Sequence, residues 1–180
     1  MKLSSADIES LFEKIATTLP AIAHDANDPK KIRFYGFNAS RLSDEERSKL
    51  NFDTLVLGLS LPGQPPFYWN YKDSGTATQK LKYFEVSIIG KFKDGDLYAE
   101  DVVCGNAEEQ IDFLQSWLRE KSFGASSCYW PLLKFIDVDN MAGRRLSNIG
   151  IGGYAGAALR ITLMDYVLYD NSNPLNDMAP

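Results

Sequence analysis

His24, Cys104 and Cys128 are the only histidine and cysteines in the chain, and they are the residue types best suited to nucleophilic or metal chemistry. Their spacing serves neither. Nucleophilic catalysis needs a thiol or hydroxyl with a base in hydrogen-bond reach, but His24 sits in Ala23-His24-Asp25, far along the chain from either cysteine, and no nucleophile-elbow pattern occurs. Zinc takes three or four Cys, His or carboxylate ligands, whereas the cysteines lie 24 residues apart with no Cys-x-x-Cys or His-x-x-x-His partner. His24 therefore reads as a surface or helix-end residue. The two thiols read as buried and reduced, which suits a cytoplasmic setting.

The carboxylates offer more candidates and no better constellation. Asp94-Gly95-Asp96 and Asp137-Val138-Asp139-Asn140 resemble calcium-ligand runs, yet both lack the remaining loop spacing and the terminal glutamate, so turns are expected. Glu100-Asp101 and Glu108-Glu109 are adjacent pairs of the type used in acid–base work, and such neighbours are usually solvated strand or helix-cap residues. Gly150-Ile151-Gly152-Gly153-Tyr154-Ala155-Gly156 lacks the Lys-Ser/Thr ending of a phosphate loop and precedes a strand, so no helix amino terminus awaits an anion. Its glycines suit close backbone approach or a loop that shapes itself against a partner. Phe67-Tyr68-Trp69-Asn70-Tyr71 packs four aromatics into five residues, which fits core burial and a protein interface equally. The interface candidates are Phe67, Tyr68, Trp69, Tyr71, Gly150, Gly152, Gly153 and Tyr154. No catalytic residue, cofactor or metal is expected, and the chain does not read as an enzyme.

The elements that would carry these residues follow from pattern. Ser4 and Asp7 make a capping box before Ile8, Leu11, Phe12, Ile15 and Leu19, predicting a helix over 5–19 that Pro20 stops. Ile32 to Phe37 gives a short strand, and Ser43-Asp44-Glu45-Glu46 caps a brief helix to Leu50. Asp53 to Leu61 reads as a buried strand ended by prolines, and Lys80 to Phe92 as the clearest strand. Asp94-Gly95 signals a hairpin with Leu97 to Cys104 as the partner strand, after which Asn106 caps a helix carrying Ile111, Phe113, Leu114, Trp117 and Leu118 and ending at Gly124. Leu132 to Val138 looks like a strand, Leu159 to Tyr169 is the last one, and 171–180 is a polar tail. The expected fold is a single α+β domain over 1–170, a mainly antiparallel sheet with two principal helices on one face.

At 180 residues the chain is long enough to hide about 70% of its unfolded surface in one core. No apolar run approaches the roughly 18 to 20 residues of a membrane span, and the acidic Met1-to-Glu9 segment is unlike a signal peptide. Residues 1–90 hold 11 basic and 11 acidic side chains, so the net charge of −5 comes from residues 91–180, with 8 and 13. From Asp94 to Asp112 seven carboxylates follow without a base, which repels nucleic-acid phosphate.

The order of these elements resembles the tail-terminator or tail-completion (neck) proteins of long-tailed bacteriophages. The similarity is carried by Asp53-Thr54-Leu55-Val56-Leu57, Tyr83 to Ile89, Gln110-Ile111-Asp112-Phe113-Leu114 and Arg160 to Tyr166, about a third of the chain. The 62–79 and 121–157 regions depart from that order. The resemblance implies a virion structural protein, assembled in the host cytoplasm, whose copies form a ring that caps the tail tube and joins it to the neck. Its partners would be itself, the tail tube and neck proteins, with neither membrane nor sequence-specific nucleic acid among them. The alternative is a small cytoplasmic binding module, of immunity or adaptor type, whose acidic 94–112 face captures a basic partner.

Overall fold

Ile8, Leu11, Phe12 and Ala16 recur every three or four residues and form the buried stripe of α1, Ser5–Thr18. A computed structural model of the chain describes residues 5–37, 45, 48–59, 68–73, 78–93, 95–123, 136–147 and 153–167. After α1 the backbone turns through Ala23, at φ +47, with the Ile22 and Ala23 amides donating to the Leu19 carbonyl at 3.0 and 2.8 Å. Of the expected 43–50 helix, Glu45 and Ser48 are helical while residues 43, 44, 46 and 47 lie outside the described residues, as does the whole 171–180 tail.

Six strands make one sheet: β1 (Phe34–Tyr35), β2 (Val56–Leu59), β3 (Tyr68–Asp73), β4 (Thr78–Lys91), β5 (Ala142–Leu146) and β6 (Tyr154–Val167). Their order is β1-β2-β4-β6-β5, with β3 also on β4; β1 and β2 run parallel and every other pair is antiparallel. β4 and β6 pair over fourteen positions, from Thr78 opposite Val167 to Lys91 opposite Tyr154. Along its other edge, β4 meets β2 over Val86–Ile89 and β3 over Thr78–Tyr83.

Both helices lie on the same side of this sheet. Leu57, Leu59, Phe84, Val86, Ile88, Ala157, Leu159 and Ile161 alternate onto that face and join one cluster with α1 and with Ala107, Ile111, Leu114 and Leu118 of α2, Leu97–Phe123. Phe84 is held edge-on between Phe12 and Phe37, at centroid distances of 5.7 and 5.6 Å. Each buried aliphatic side chain here contributes about 1.5–3 kcal/mol relative to exposure. The chain is thus the α+β domain expected, with a mainly antiparallel sheet and two helices on one face.

Two expectations are corrected. Leu97 to Cys104 is not a strand returning beside β4; it is the first two turns of α2, and Asn106 lies inside that helix instead of capping it. The cap is Asp96, whose carboxylate accepts the Ala99 amide at 3.0 Å and whose carbonyl accepts the Glu100 amide at 3.0 Å. Gly95, at φ +83, does turn the chain, but toward a helix. Cys104, Ala107, Ile111, Leu114 and Leu118 keep a 3.6-residue period straight through Asn106, while alternation would have buried Tyr98 and Val102, which are exposed. Leu132 to Val138 is likewise not a strand where it is described: Ile136 makes a single bridge to Leu163, and Val138–Asn140 is a 3₁₀ turn. The strand β5 begins later, at Ala142, and β6 begins at Tyr154, five residues before the expected Leu159.

On the sheet's other face one row crosses five strands: Tyr35, Gly58, Ser87, Ala158 and Arg144. Tyr35 lies flat over Gly58, since a Cβ there would stand 1.8 Å from its Cζ, and its hydroxyl meets the Ser87 hydroxyl at 3.2 Å. Burial raises the Tyr35 phenol above its ordinary pKa.

Candidate interaction surfaces

The residues suited to chemistry are built into the fold separately. His24 is buried and not on the surface, but it does sit at the end of α1, where its amide donates to the Ala16 carbonyl at 3.1 Å. Its Nδ1 accepts the Arg33 amide at 3.0 Å, which leaves the ring proton on Nε2, 3.5 Å from a Glu13 carboxylate oxygen. The Arg33 guanidinium in turn donates to the Ile22 carbonyl at 2.7 Å, so His24 ties the turn after α1 to the entry of β1. Cys104 is buried under β6 with Phe92 and Ala155, and desolvation raises its thiol pKa. Cys128 lies outside the described residues.

The paired carboxylates are divided by the helix. Asp101 and Glu108, two turns apart on α2, both hold Arg145 of β5, at 2.7 Å to its Nη1 and 2.7 Å to its Nε. Hydrogen bonding to Arg145 lowers the Glu108 carboxyl below its ordinary range and raises the guanidinium. Arg144, one position along, points to the other face and makes a two-bond pair with Glu85 at 2.8 and 3.1 Å. β5 is an outer strand in the sheet order, and these arginines charge it on both faces. Asp137 caps its turn, accepting the Asp139 amide and the Asn140 side chain, which is the turn role expected.

Phe67, Gly150 and Gly152 lie outside the described residues. Tyr68, Trp69 and Tyr71 are brought together on β3, opposite Tyr83, Lys82 and Lys80, so the aromatic segment is a strand and not a loop. Gly153, at φ +70, offers its carbonyl to the Phe92 amide at 2.7 Å, and Tyr154 meets Phe52 edge-on at 5.1 Å. The two candidate groups do not converge: β3 pairs with the Thr78–Tyr83 half of β4, whereas Tyr154 opens β6 opposite Lys91 at the other end.

Sequence reasoning missed two features of α2. Among the described residues, Leu97, Tyr98, Val102 and Phe113 are its exposed large apolar side chains, with Tyr98 at 80%. Beside them an open groove of about 470 Å³ is lined by Asp53, Leu55, Lys91, Asn106, Glu109 and Gln110, among others. Gln110 is 97% buried, and its carbonyl oxygen has no hydrogen-bond partner among the described residues. The signal that marks α2's outer side was present in the spacing of Tyr98, Val102 and Phe113, but a strand reading of 97–104 conceals it.

Among the described residues no helix is long and apolar enough to cross a membrane, and no cluster of three or more His, Cys, Asp or Glu could hold a metal. Compared with protein-family models and with curated proteins, the chain matches none.

Proposed function

We propose that the chain is a structural assembly subunit of the tail-terminator or tail-completion kind, whose copies form a ring on a tail tube and join it to the neck. The observation that carries this reading is a three-stranded arm. β4 and β6 stay paired well past the stretch that β2 shares, and β3 adds itself to that distal half. At the root of the arm Leu81, Lys82 and Tyr83 are half-buried, whereas Phe84, Val86 and Ile88 beyond them are buried. Six residues of strand reach about 20 Å, and an arm of that length serves contact with a neighbour better than it serves a core. The helix–sheet–helix–sheet order is in keeping with the same kind of subunit, and the functional burden falls on surfaces instead of reactive side chains.

Sedimentation over a concentration series, alone and beside purified tail tubes, tests the reading. The expected result is a species several times the 20.2 kDa chain mass in at least the tube-containing sample. Trp69→Ala is expected to weaken association by roughly 2 kcal/mol with unchanged circular dichroism. A wild type that stays monomeric and unbound in every sample overturns the proposal. The alternative, a monomeric binding module for a basic partner, is favoured by the charge of α2, and the same sedimentation run distinguishes it.

A further inference from the structure

The row of β4 side chains that packs under the helices runs out at position 90. Phe84, Val86 and Ile88 fill that row, and Gly90, next in the alternation, is buried and has no side chain to give. A Cβ there would stand 3.0 Å from Leu55 Cδ2 and 3.1 Å from Val103 Cγ1. Leu55, Gly90 and Val103 all line the groove of about 470 Å³, which therefore begins in the place of a missing core side chain and is apolar at that point. Its size is that of a small-molecule site, roughly 300–1,000 Å³. Around this apolar floor stand hydrogen-bond acceptors. Gln110 is 3% exposed and lines the groove, and its carbonyl oxygen has no partner among the described residues. A buried acceptor in that state works against folding, so a glutamine where leucine or methionine would pack calls for a donor from outside the chain. Asp53, from the segment that enters β2, and Glu109 of α2 add a carboxylate from each wall, and neither is in an ion pair among the described residues. The base in the lining, Lys91, follows Gly90 and so alternates onto the opposite sheet face with Ile89.

We infer that this groove binds a guanidinium carried on a short hydrocarbon stem. The site stands apart from the ring reading. Two carboxylates and an amide carbonyl ask for several donors on one cation, and a guanidinium offers five N–H groups in a planar fork while being weakly hydrated, so it leaves water readily. Its stem would cover Leu55 and Val103 and occupy the space that Gly90 leaves, as long cationic side chains cover apolar surface elsewhere. A metal ion suits the groove less, because it has no use for an apolar floor and no cluster of three His, Cys, Asp or Glu ligands exists among the described residues. An anion suits it least, since from Leu97 to Leu118 α2 carries five carboxylates and no base. The guanidinium belongs either to a free small molecule or to an arginine of a partner chain.

Titration of the full chain with n-butylguanidinium tests the site, with calorimetry for affinity and amide NMR for location. Saturable one-to-one binding is expected with a Kd below about 1 mM, and the shifted signals should centre on the backbone amides of Gly90, Val103 and Asn106 and on the Gln110 side-chain amide. n-Butyrate and n-pentanol, similar in length but without the cation, are expected to bind at least tenfold more weakly. Gln110→Met removes the buried acceptor at similar volume. It is expected to keep or raise the melting temperature while affinity falls at least tenfold, whereas a merely structural Gln110 would give a lower melting temperature and unchanged binding. Gly90→Ala fills the floor and is expected to lose tenfold as well. Glu109→Gln, at an exposed position, is expected to lose at least threefold at low salt and keeps the test decisive if Gly90→Ala fails to fold. The peptide acetyl-Gly-Arg-Gly-amide separates the two sources: binding at least tenfold tighter than n-butylguanidinium assigns the groove to a partner's arginine, and equal or weaker binding assigns it to a free small molecule. No saturable binding of n-butylguanidinium up to about 10 mM, binding of n-butyrate as tight as that of the cation, or an affinity that survives all three substitutions overturns the inference.

Discussion

Gly58→Ala probes the contact that joins β1 to the middle of the sheet. The added Cβ would stand 1.8 Å from Tyr35 Cζ, 2.1 Å from Cε2 and 2.3 Å from the hydroxyl oxygen. Tyr35 is 5% exposed, so its ring has to retreat by roughly 2 Å inside a packed layer to reach an ordinary separation of about 3.5–4.0 Å. Overpacking of this kind costs about 1–3 kcal/mol. The shift also pulls the phenol from the Ser87 hydroxyl, adding about 0.5–1.5 kcal/mol. Replacing a strand glycine by alanine returns about 0.5–1 kcal/mol of chain entropy. The expected net loss is about 2–3 kcal/mol, which for a chain of this length lowers Tm by roughly 5–10 °C. Urea melts followed by tryptophan fluorescence measure it. In a Tyr35→Ala background the three atoms nearest the new methyl are gone, so the same substitution is expected to cost at least 1 kcal/mol less. A Gly58→Ala loss under 0.5 kcal/mol, or an equal loss in both backgrounds, refutes the reasoning.

Ile88, fully buried between Leu57 and Ala157, is expected to lose about 2–5 kcal/mol on truncation to alanine, and a denaturant melt within 0.5 kcal/mol of wild type would place it outside the core. His24→Ala is expected to cost about 1–3 kcal/mol by leaving the Arg33 amide without its acceptor, yet to leave assembly intact; loss of assembly in a folded variant would give His24 a functional role. In a Cys128→Ser background, Cys104 is expected to react with a thiol reagent at pH 8 at least 100-fold more slowly in the native than in the unfolded state, because burial both shields it and raises its pKa; prompt native labelling would contradict that. The Glu108 carboxyl is lowered in the fold, so the stability it lends is complete above the ordinary carboxylate range and disappears as pH falls through its folded-state pKa. Glu108→Gln is accordingly expected to differ from wild type by under about 1 kcal/mol at pH 7 and to converge with it near pH 3; a constant gap across that range would assign the effect to something other than charge.

Residues whose burial is local were legible before any fold was known. Ile8, Leu11 and Phe12 announce α1 because their spacing allows one solution, and Phe84, Val86 and Ile88 announce β4 by alternation. Leu97 to Cys104 misled because Asp94-Gly95 is a hairpin signal and Val102-Val103 is β-branched, while the deciding facts are a cap from Asp96 and burial of Cys104 against β6, a strand more than fifty residues away. β5 was illegible for a related reason. Ala-Gly-Arg-Arg-Leu has neither apolar alternation nor length, and it is a strand because Arg145 reaches α2 and Arg144 reaches Glu85. His24 carried no sequence sign of burial, since its partners are a backbone amide and a carboxylate that only the fold brings near. Within the aromatic 67–71 segment, the strand character of residues 68–71 depends on pairing with the early half of β4, which the local sequence does not show.

The helix-side core takes up only part of the length of the long strands. From Phe84 onward β4 turns Phe84, Val86 and Ile88 into the helix-side core and Glu85, Ser87 and Ile89 to the opposite face, whereas Thr78–Tyr83 is shared with β3 and β6 alone among the pairings of that stretch. Substitution in the first stretch acts on folding, because it opens a cavity that neighbouring side chains cannot refill. Substitution in the second alters a stretch held between β3 and β6, none of whose residues belongs to the helix-side cluster. The same separation holds on α2, where Ala107, Ile111, Leu114 and Leu118 face the sheet while Tyr98, Val102 and Phe113 face solvent. His24, Cys104 and the Arg145 carboxylates lie apart in the fold, and among the described residues the buried side-chain polar atoms without a hydrogen-bond partner are His24 Nε2, Arg33 Nε, Gln110 Oε1 and Thr162 Oγ1. The outer side of α2 is acidic and exposes Tyr98, Val102 and Phe113, and the groove beside it is lined by Gln110, whose carbonyl oxygen has no partner among the described residues. On the assembly reading proposed above, changes in association without changes in stability are to be sought at those features.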